Sequence, residues 1–223
     1  MHALVTGASS GIGAAIAARL LADGWRVTGL DLAPAPEHGD GYAHYRLDLT
    51  DSARLRAVLA GLDGITAVVH AAGVLRVAPL GALDAESGAL MFRLHVEVAA
   101  MLADALAPRL PEGGRIVLVG SRTASGAAGR SQYAASKAAL VGLARSWAAE
   151  LAPRRITVNV IAPAATDTPM LADPSRSGVA PRLPPIGRFI RPEEVAALTA
   201  FLLSAEAGAI TGQQILVCGG ASL

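Results

Sequence analysis

A tyrosine and a lysine four positions apart are the residues of this chain best suited to proton transfer. Tyr133 and Lys137 lie in an Ala/Leu-rich segment, Ser131–Leu151, that is predicted to be a helix. Because residues i and i+4 share one face of a helix, the phenol and the ammonium group can point into one cleft. A free phenol, with a pKa of about 10, is too weakly ionised to act as a base at neutral pH, but a nearby positive charge favours the phenolate. The pair is therefore a candidate acid–base centre.

A glycine-rich turn near the start of the chain has the spacing of a phosphate-binding site. The segment Thr6–Gly13 comes directly after an apolar strand candidate and directly before a helix candidate. Gly7 allows a sharp turn, Gly11 lets the backbone approach a diphosphate, and Gly13 lets the helix pack closely on the sheet. The N–H groups at the start of the helix then point at the phosphates. The pattern indicates a dinucleotide site, and the alternative is a glycine-rich turn that binds no ligand.

Short apolar runs alternate with longer Ala/Leu-rich segments from one end of the chain to the other. The runs are apolar on both faces, as in the strands of a parallel sheet that helices cover on each side. We therefore predict an α/β fold, a doubly wound Rossmann-type parallel sheet of about seven strands with helices on both faces. The strand candidates are Ala3–Thr6, Arg26–Leu30, Ala43–Leu47, Ala67–His70, Arg115–Val119, Thr157–Ile161 and Gln214–Val217, and the helix candidates are Gly11–Asp23, Ser52–Leu62, Ala85–Ala107, Ser131–Leu151 and Pro192–Ser204.

Two stretches rich in proline and glycine interrupt this alternation. Residues 31–43 are predicted to form a loop rather than a helix, because prolines and glycines break regular structure there. Residues 168–190 carry several prolines and are too long for a plain connection, so we predict a substrate loop. Neither stretch is a domain linker, and residues 1–223 are predicted to form one domain.

The composition excludes several other classes of protein. Lys and Arg number 19 against 18 Asp and Glu, and this balance offers no basic surface for nucleic acid. The single cysteine, Cys218, excludes a disulfide scaffold, and no spacing of metal ligands predicts a metal site. No apolar stretch is long enough to span a membrane, so we expect a cytoplasmic protein. The low charged fraction of 17% favours further burial in a homo-oligomer.

The two motifs resemble those of the short-chain dehydrogenase/reductase family. The glycine turn matches the family's T-G-x-x-x-G-I-G at every fixed position, and the tyrosine–lysine segment resembles its Y-x-x-x-K. The resemblance extends over nearly all of the chain, since Ala71–Gly73 is similar to N-A-A-G and Asn159–Pro163 to N-x-I-x-P. It implies an oxidoreductase that transfers a hydride between a nicotinamide cofactor and a secondary alcohol or ketone. Apolar residues near the cleft favour a small or cyclic substrate: Leu75, Val77, Met170 and Leu171.

The resemblance also implies roles for individual residues. Tyr133 would be the acid or base, and Lys137 would lower the pKa of its phenol and bind the nicotinamide ribose. Ser121 follows a strand candidate and lies twelve residues before Tyr133, whereas the family usually places its serine thirteen before. Its hydroxyl is expected to donate to the substrate oxygen. Ser125 is the alternative, although it falls inside the following loop.

Asp31 lies eighteen residues beyond Gly13, at the end of a strand candidate, and favours NAD as the cofactor. Its carboxylate can accept hydrogen bonds from both ribose hydroxyls and repels a 2′-phosphate, although it can also be a solvated loop residue. Asp48 matches the family's adenine-contacting acid, or else serves a turn and a helix cap. The residues expected at the cofactor are Gly7, Ser9, Ser10, Gly11, Ile12, Gly13, Asp31, Asp48, Leu49, Ala71, Ala72, Gly73, Tyr133, Lys137, Pro163, Thr166 and Thr168.

Four positions depart from the family pattern. His70, Ala164 and Cys218 replace residues that mainly steady the backbone. His95 replaces a helix asparagine that belongs to a proton path linking Lys137 to water. We include His95 as a catalytic candidate, because an imidazole titrates near neutral pH and can relay protons. Two alternatives remain open, a packing role in which only the main-chain carbonyl is needed and direct contact with the substrate.

Several further hypotheses remain open. Arg76 and Arg122 can hold a carboxylate or sulfonate near the cleft, or can simply be solvated. The leading function is an NAD-dependent dehydrogenase or reductase. The alternatives are a dinucleotide-binding sensor or scaffold without turnover, and a lyase or dehalogenase on the same fold. Ala85–Ala107 and Ser131–Leu151 resemble the helices through which the family forms dimers, so we expect a homo-oligomer, a tetramer or a dimer.

Overall fold

The computed structural model describes residues 1–36, 38–172 and 182–223. Within these ranges, the strands are β1 His2–Thr6, β2 Arg26–Asp31, β3 Tyr42–Arg46, β4 Ala67–His70, β5 Arg115–Val119, β6 Thr157–Pro163 and β7 Gln214–Val217. The seven strands are parallel and form one sheet in the order β3-β2-β1-β4-β5-β6-β7. The chain winds outward in one direction from β1 and in the other from β4, which confirms the doubly wound sheet predicted from the sequence.

Helices cover both faces of the sheet. They are α1 Gly11–Ala22, α2 Ser52–Ala60, α3 Ala85–Phe92, α4 Val98–Leu106, α5 Ser131–Leu151 and α6 Pro192–Leu203. The core on one face contains Leu4 and Val68 and is closed by α2, α4 and α5, whereas the core on the other contains Val5 and Val69 and is closed by α1 and α6. Neighbouring strand residues thus alternate between two cores, which explains the continuous apolar runs. Among the described residues, no helix is both long and apolar enough to cross a membrane.

Local capping explains where two of these helices begin. The Asp51 carboxylate accepts a hydrogen bond of 3.0 Å from the N–H of Arg54 at the start of α2. Helix α6 begins with Pro192, whose missing N–H would have no partner in a first turn. Glu193 and Glu194 occupy the same turn, where carboxylates complement the helix dipole.

The segment predicted as one helix, Ala85–Ala107, is helical as far as Leu106, but it is not a single α-helix. Five residues in its middle, Arg93–Glu97, form a π-helical turn, which we call the π turn, between α3 and α4. A π turn widens the helix and takes a carbonyl out of the regular ladder. The carbonyl of Leu94 accepts a hydrogen bond of 3.1 Å from Nε2 of His70, and the side chain of His95 is fully buried at the same turn.

The two irregular stretches begin at the carboxyl ends of strands. The connection between β2 and β3 contains no helix in its described part, as predicted. In the second stretch, a bridge between Thr166 and Ile190 holds together the two ends of the predicted substrate loop. Pro169–Ala172 form a short 3₁₀ turn at its start. Residues 173–181, on which much of the substrate-loop prediction falls, lie outside the described residues.

Candidate active site

A cavity of about 530 Å³ opens at the carboxyl ends of the central strands. In doubly wound sheets, ligands bind at this edge, where the strand order reverses between two neighbouring strands. The lining brings together the four catalytic candidates, Ser121, Tyr133, Lys137 and His95, with Ile12 of the glycine turn. The sheet therefore gathers into one cavity residues that are far apart in the sequence.

Backbone crowding makes glycine necessary in the turn before α1. A Cβ on Gly13 would lie 2.0 Å from the carbonyl oxygen of Gly7, and a Cβ on Gly7 would lie 2.8 Å from the backbone of Ala72. Gly7 and Gly11 also have φ values of +69° and +53°, a region that favours glycine. The glycines thus let the turn lie directly against the segment after β4.

The start of α1 fits the diphosphate of a dinucleotide. Ser10 occupies the N-cap but makes no capping hydrogen bond through its side chain, and the first turn contains no acidic residue. The hydroxyl oxygen of Ser9 is fully buried and has no hydrogen-bond partner among the described residues. A buried hydroxyl, open N–H groups and the positive end of the helix dipole together suit an anionic ligand.

Asp31 and Arg46 are paired in the register of β2 and β3 at the carboxyl edge. The two carboxylate oxygens of Asp31 accept hydrogen bonds of 2.9 Å from the N–H groups of Ser9 and Ala33. Arg46 donates from Nε to the carbonyl of Leu32 at 3.0 Å. These bonds use only part of the carboxylate's accepting capacity, so ribose hydroxyls can still donate to it. Sequence reasoning missed Arg46, because its position beside Asp31 depends on strand register.

Asp48, predicted at the adenine, and Leu49, predicted at the cofactor, have local structural roles. The exposed Asp48 accepts hydrogen bonds from the N–H and the hydroxyl of Thr50, at 2.8 and 2.7 Å, and so forms the turn before α2. Leu49 is 5% exposed and belongs to the core. Neither is among the described residues that line the cavity. The local turn, which the sequence analysis gave as the alternative role of Asp48, is therefore present in the structure.

Thr6 and His70 join the glycine turn to the π turn. The N–H groups of Ala71 and Ala72 donate to Oγ1 of Thr6 at 3.1 and 3.2 Å, so the Thr6 hydroxyl itself donates to Nδ1 of His70 at 2.8 Å. Nε2 of His70 then carries the proton, which it donates to the carbonyl of Leu94. Burial is the main cause that lowers the pKa of His70 to about 3, so this ring is neutral at physiological pH.

His95 makes hydrogen bonds through both ring nitrogens. Its Nε2 accepts from the N–H of Val74 at 3.1 Å, so its Nδ1 carries the proton and donates to Oγ of Ser136 at 2.9 Å. Ser136 in turn donates to the carbonyl of Tyr133 at 2.9 Å. Burial, followed by the charge of Lys137, holds the pKa of His95 far below its ordinary value of 6.5. The expectation that this imidazole titrates near neutral pH is therefore wrong.

The tyrosine–lysine pair adjoins this histidine. The rings of Tyr133 and His95 meet edge to face, with their centroids 5.7 Å apart. Lys137 is 4% exposed, and its Nζ donates to the carbonyl of Val119 at 2.8 Å. Burial lowers the pKa of Lys137 from 10.5 to about 7. Gly73 leaves room for both groups, since a Cβ there would lie 3.0 Å from Nε2 of His95 and 3.4 Å from Nζ of Lys137.

Of the two serine candidates, Ser121 is the one that lines the cavity. It caps the short 3₁₀ turn Arg122–Ser125, where its Oγ accepts a hydrogen bond of 3.1 Å from the N–H of Thr123. Accepting this bond leaves the O–H of Ser121 available as a donor. Ser125 is exposed, donates its hydroxyl to the carbonyl of Arg122 at 3.1 Å, and is not among the described lining residues.

The remaining cofactor candidates divide into two groups by position. A Cβ on Gly11 would lie 3.2 Å from the side chain of Thr168, so the segment after β6 faces the glycine turn. The candidates that line the cavity are Ile12, Ala71, Gly73, Pro163, Thr166 and Thr168. The candidates at the glycine turn, or bonded directly to it, are Gly7, Ser9, Ser10, Gly11, Gly13, Asp31 and Ala72.

Arginines supply part of the lining, and the sequence identifies only one of them. Arg122 lines the cavity, whereas Arg76, which donates to a neighbouring carbonyl at 3.1 Å, is not among the described lining residues. Arg130 and Arg182 also line it and were missed. The position of Arg130, three residues before Tyr133, was a usable signal. Among the described residues, no three His, Cys, Asp or Glu side chains are grouped as a metal site requires.

The chain is similar to known proteins over almost its entire length. A family model described as enoyl-(acyl carrier protein) reductase matches residues 7–222. The 3-oxoacyl-[acyl-carrier-protein] reductase FabG of Salmonella typhimurium is 35% identical, over 98% of this chain and 96% of its own. The 2,3-dihydro-2,3-dihydroxybenzoate dehydrogenase of Escherichia coli is 36% identical, over 98% and 96%. A blue fluorescent protein from a metagenomic library, solved in complex with NADPH, has a TM-score of 0.90 and 31% identity, over 100% of this chain and 98% of its own.

A doubly wound sheet whose glycine turn and tyrosine–lysine helix meet at one edge defines the class of dinucleotide-binding oxidoreductases. The matches narrow this class, and the chain belongs to the short-chain dehydrogenase/reductase family, which uses nicotinamide dinucleotides. The family resemblance seen in the sequence is thereby confirmed.

Proposed function

We propose that this chain is an NAD-dependent oxidoreductase that interconverts a small or cyclic secondary alcohol and its ketone. The observation that carries the proposal is the meeting of Tyr133, Lys137 and Ser121 in one cavity beside the glycine turn. A sensor or scaffold that only binds a dinucleotide has no need of a phenol, an ammonium group and a hydroxyl donor at one place. The relative from Escherichia coli is named for a cyclic diol, which supports a cyclic substrate here.

Tyr133 and Ser121 act on the same substrate oxygen. In oxidation, Tyr133 as phenolate takes the proton of the substrate hydroxyl, and in reduction it returns a proton as phenol. Ser121 donates its O–H to this oxygen and stabilises the charge that develops on it. When bound, the nicotinamide supplies the hydride acceptor or donor. Leu75 and Leu171, which line the cavity, keep water away from the reacting carbon.

Lys137 acts through its charge and its donors. Burial lowers the pKa of its amine to about 7, and the ammonium form favours the phenolate of Tyr133 one turn earlier. The carbonyl of Val119 fixes Nζ in position. An ammonium group has three donors, so two remain for the ribose hydroxyls of the cofactor.

We assign His95 a positioning role. The hydrogen bonds that run from Val74 through His95 and Ser136 end at the carbonyl of Tyr133, which has no proton to pass on. The neutral ring instead ties the cavity wall after β4 to the helix that carries the phenol. This arrangement favours the packing alternative over a proton relay.

The preference for NAD rests on Asp31. Its carboxylate, held by the N–H groups of Ser9 and Ala33, repels a 2′-phosphate and accepts from ribose hydroxyls. Arg46 favours NADP as a second candidate, because a guanidinium beside the ribose site can pair with a phosphate. Asp31 takes precedence, because its carboxylate bonds directly to the glycine turn, whereas Arg46 bonds to the following loop.

We also propose that residues 1–223 form a single domain with a substrate loop at residues 168–190. The protein is further proposed to be a homo-oligomer in the cytoplasm. Met170 and Leu183, which both belong to the stretch 168–190, line the cavity, and this supports a substrate loop there. A groove between α4 and α5 contains the half-buried Met101, Leu143 and Trp147. A second copy docked on these helices would bury this groove, as a dimer or tetramer requires. Sedimentation at micromolar concentration as a 22.5 kDa species would contradict the oligomer.

A substrate panel tests the proposed function directly. The purified protein is mixed with NAD or NADP and a series of secondary alcohols, and the absorbance of the reduced nicotinamide is followed. The proposal expects turnover with NAD at higher kcat/KM than with NADP. Binding of NADH without turnover of any alcohol or ketone favours the sensor, and a preference for NADP favours the second cofactor candidate.

A further inference from the structure

Part of the cavity wall forms where the substrate loop meets residues 218–221, the turn that follows β7. Leu183 and Pro185 line the cavity from the loop. Gly220 and Ala221 line it from the turn. None of these four residues has a side chain that can exchange a proton, so this part of the wall serves the reaction in another way.

Two glycines let the loop lie directly against the turn after β7. Gly219 and Gly220 have φ values of +55° and +84°, a region that favours glycine. A Cβ on Gly219 would lie 2.7 Å from Cδ1 of Ile186 and 3.2 Å from Cβ of Pro184. A Cβ on Gly220 would lie 3.2 Å from Cβ of Pro185. Three consecutive side chains of the loop therefore pack into space that two missing side chains leave.

Backbone hydrogen bonds fix the loop on this turn. The N–H of Ile186 donates to the carbonyl of Gly219 at 3.1 Å, and the N–H of Gly187 donates to the carbonyl of Pro184 at 3.0 Å. The backbone before Ile186 is stiff, because each proline ring fixes its own φ. A displacement at the glycines is therefore passed on to Pro185 in the cavity wall.

The following part of the loop is held by contacts that do not include these glycines. Arg188 donates two hydrogen bonds, of 2.8 and 2.7 Å, to the carboxylate of Glu194 on α6. Ile190 is 2% exposed and forms a bridge with Thr166, a residue expected at the cofactor. A change at the glycines is thus expected to move the substrate wall and to leave the cofactor side in place.

We propose that Gly219 and Gly220 are positioning residues that hold the substrate loop close to the reacting groups and so select small cyclic alcohols over bulkier ones. A methyl group at Gly219 meets side chains of the loop, whereas one at Gly13 meets backbone, so the loop can shift outward while the fold persists. The shift separates the two segments and widens the cavity between them. The proposal rests on the proposed function, because it concerns the substrate of the same cavity.

A matched pair of glycine variants tests this selection. Gly219→Ala adds a methyl group against the loop, whereas the control Gly113→Ala has a similar φ of +76° and no described atom within 4 Å of the added Cβ. Initial rates with NAD compare cyclohexanol with the bulkier 4-tert-butylcyclohexanol.

In Gly219→Ala, we expect the KM for cyclohexanol to rise about tenfold and kcat to change by less than about twofold, because the wall binds the ground state and the transition state alike. The preference for cyclohexanol, as a ratio of kcat/KM values, is expected to fall at least about fivefold. Gly113→Ala is expected to keep these values. An unchanged dissociation constant for NADH verifies that both variants fold.

Two further measurements separate this contact from a general loss of structure. Hydrogen exchange at the amide of Ile186, followed by mass spectrometry of overlapping peptides, is expected to be about tenfold faster in Gly219→Ala and unchanged in Gly113→Ala. Ile186→Ala removes the atoms nearest to the added Cβ, so Gly219→Ala in that background is expected to raise the KM by only about threefold.

The outcomes separate this proposal from the proposed function. An unchanged KM and preference in Gly219→Ala, equal changes in Gly113→Ala, or an equal effect of Gly219→Ala with and without the Ile186 side chain overturns the positioning role. A preference of the unmodified protein for the bulkier alcohol overturns the selection, as does a lack of turnover of cyclohexanol while other alcohols react. A lack of turnover of every alcohol contradicts the proposed function instead, and hydrogen exchange at Ile186 then decides whether the glycines position the loop.

Discussion

The nucleotide-facing and substrate-facing halves of the cavity are built in different ways. The nucleotide half depends on missing side chains, since a Cβ on Gly13 would lie 2.0 Å from the carbonyl oxygen of Gly7. The substrate half depends on side chains that arrive from separate segments, such as His95 from the π turn and Arg122 from the segment after β5. Backbone crowding admits one residue type, whereas a wall of side chains can be built in many ways. The class of cofactor is therefore easier to read from the sequence than the substrate.

The largest expected effect on cofactor binding comes from placing a methyl group in the nucleotide half. Gly13→Ala forces the turn away from α1, so the dissociation constant for NADH should rise by about 100-fold or more, a loss of about 2.7 kcal/mol of binding free energy. Titration of NADH fluorescence measures this change. Gly142→Ala is the matched control, because an added Cβ there has nothing within 4 Å and lies on an exposed helix position.

In the control, binding of NADH should be unchanged and the free energy of unfolding should rise by up to about 1 kcal/mol, since alanine favours helix. Equal binding of NADH by Gly13→Ala and Gly142→Ala would show that backbone crowding does not require glycine at position 13.

A smaller effect is expected on the substrate side from His95→Ala. The substitution leaves the N–H of Val74 without its acceptor and Ser136 without its donor, so the wall and the catalytic helix lose their connection. We expect kcat to fall by about thirtyfold, the dissociation constant for NADH to change by less than about twofold, and His95→Asn to recover part of the loss. Rapid-mixing kinetics in water and in deuterium oxide measure these values. A drop that is much larger in deuterium oxide would support a proton relay instead.

A smaller effect, on the choice between NAD and NADP, is expected from Asp31 at the end of the nucleotide half that faces the adenosine ribose. Asp31→Ser removes the charge that repels a 2′-phosphate, so the ratio of kcat/KM for NAD to that for NADP should fall by about tenfold. Arg46→Gln in the same background should remove any gain with NADP. An unchanged ratio in Asp31→Ser would show that this carboxylate does not select the cofactor.

The histidine network also gives the protein a predictable dependence on pH. The pKa values of His70 and His95 in the folded state lie below 6.5, so under acidic conditions the unfolded chain binds protons that the folded chain does not. Stability is therefore independent of these rings above pH 6.5 and falls as the pH decreases below it, by up to about 1.4 kcal/mol per unit for each ring. Urea unfolding between pH 6.5 and 5.0 measures the slope. The double variant His70→Asn, His95→Asn should have a shallower slope, and an equal slope would contradict the assignment.

Much of the fold could be predicted because the residues that determine its strands and helices are close together in the sequence. The strand candidate Arg26–Leu30 differs by one residue from β2, and Tyr133 and Lys137 share a helix face whatever surrounds them. The apolar pattern of the strands reflects burial on both sides, and the need for glycine at position 13 arises from the carbonyl of Gly7 in the same turn.

The parts that could not be predicted depend on contacts between distant segments. No residue pattern within Ala85–Ala107 predicts the π turn, because the turn depends on contacts with other segments. The carbonyl of Leu94 accepts a hydrogen bond from His70, and His95 is hydrogen-bonded to Ser136. The neutral state of His95 likewise depends on burial that no local pattern reveals. Arg46 lies beside Asp31 only through the register of β3.

In the proposed reaction, Tyr133 performs the proton transfer while other groups hold the cofactor. Turnover and binding of NADH are therefore measured on the same samples of the unmodified protein and of Tyr133→Phe, with the alcohol that the substrate panel identifies. We expect kcat to fall by about 1,000-fold while the dissociation constant for NADH changes by less than about threefold. A Tyr133→Phe variant that turns over the alcohol at the unmodified rate would contradict it.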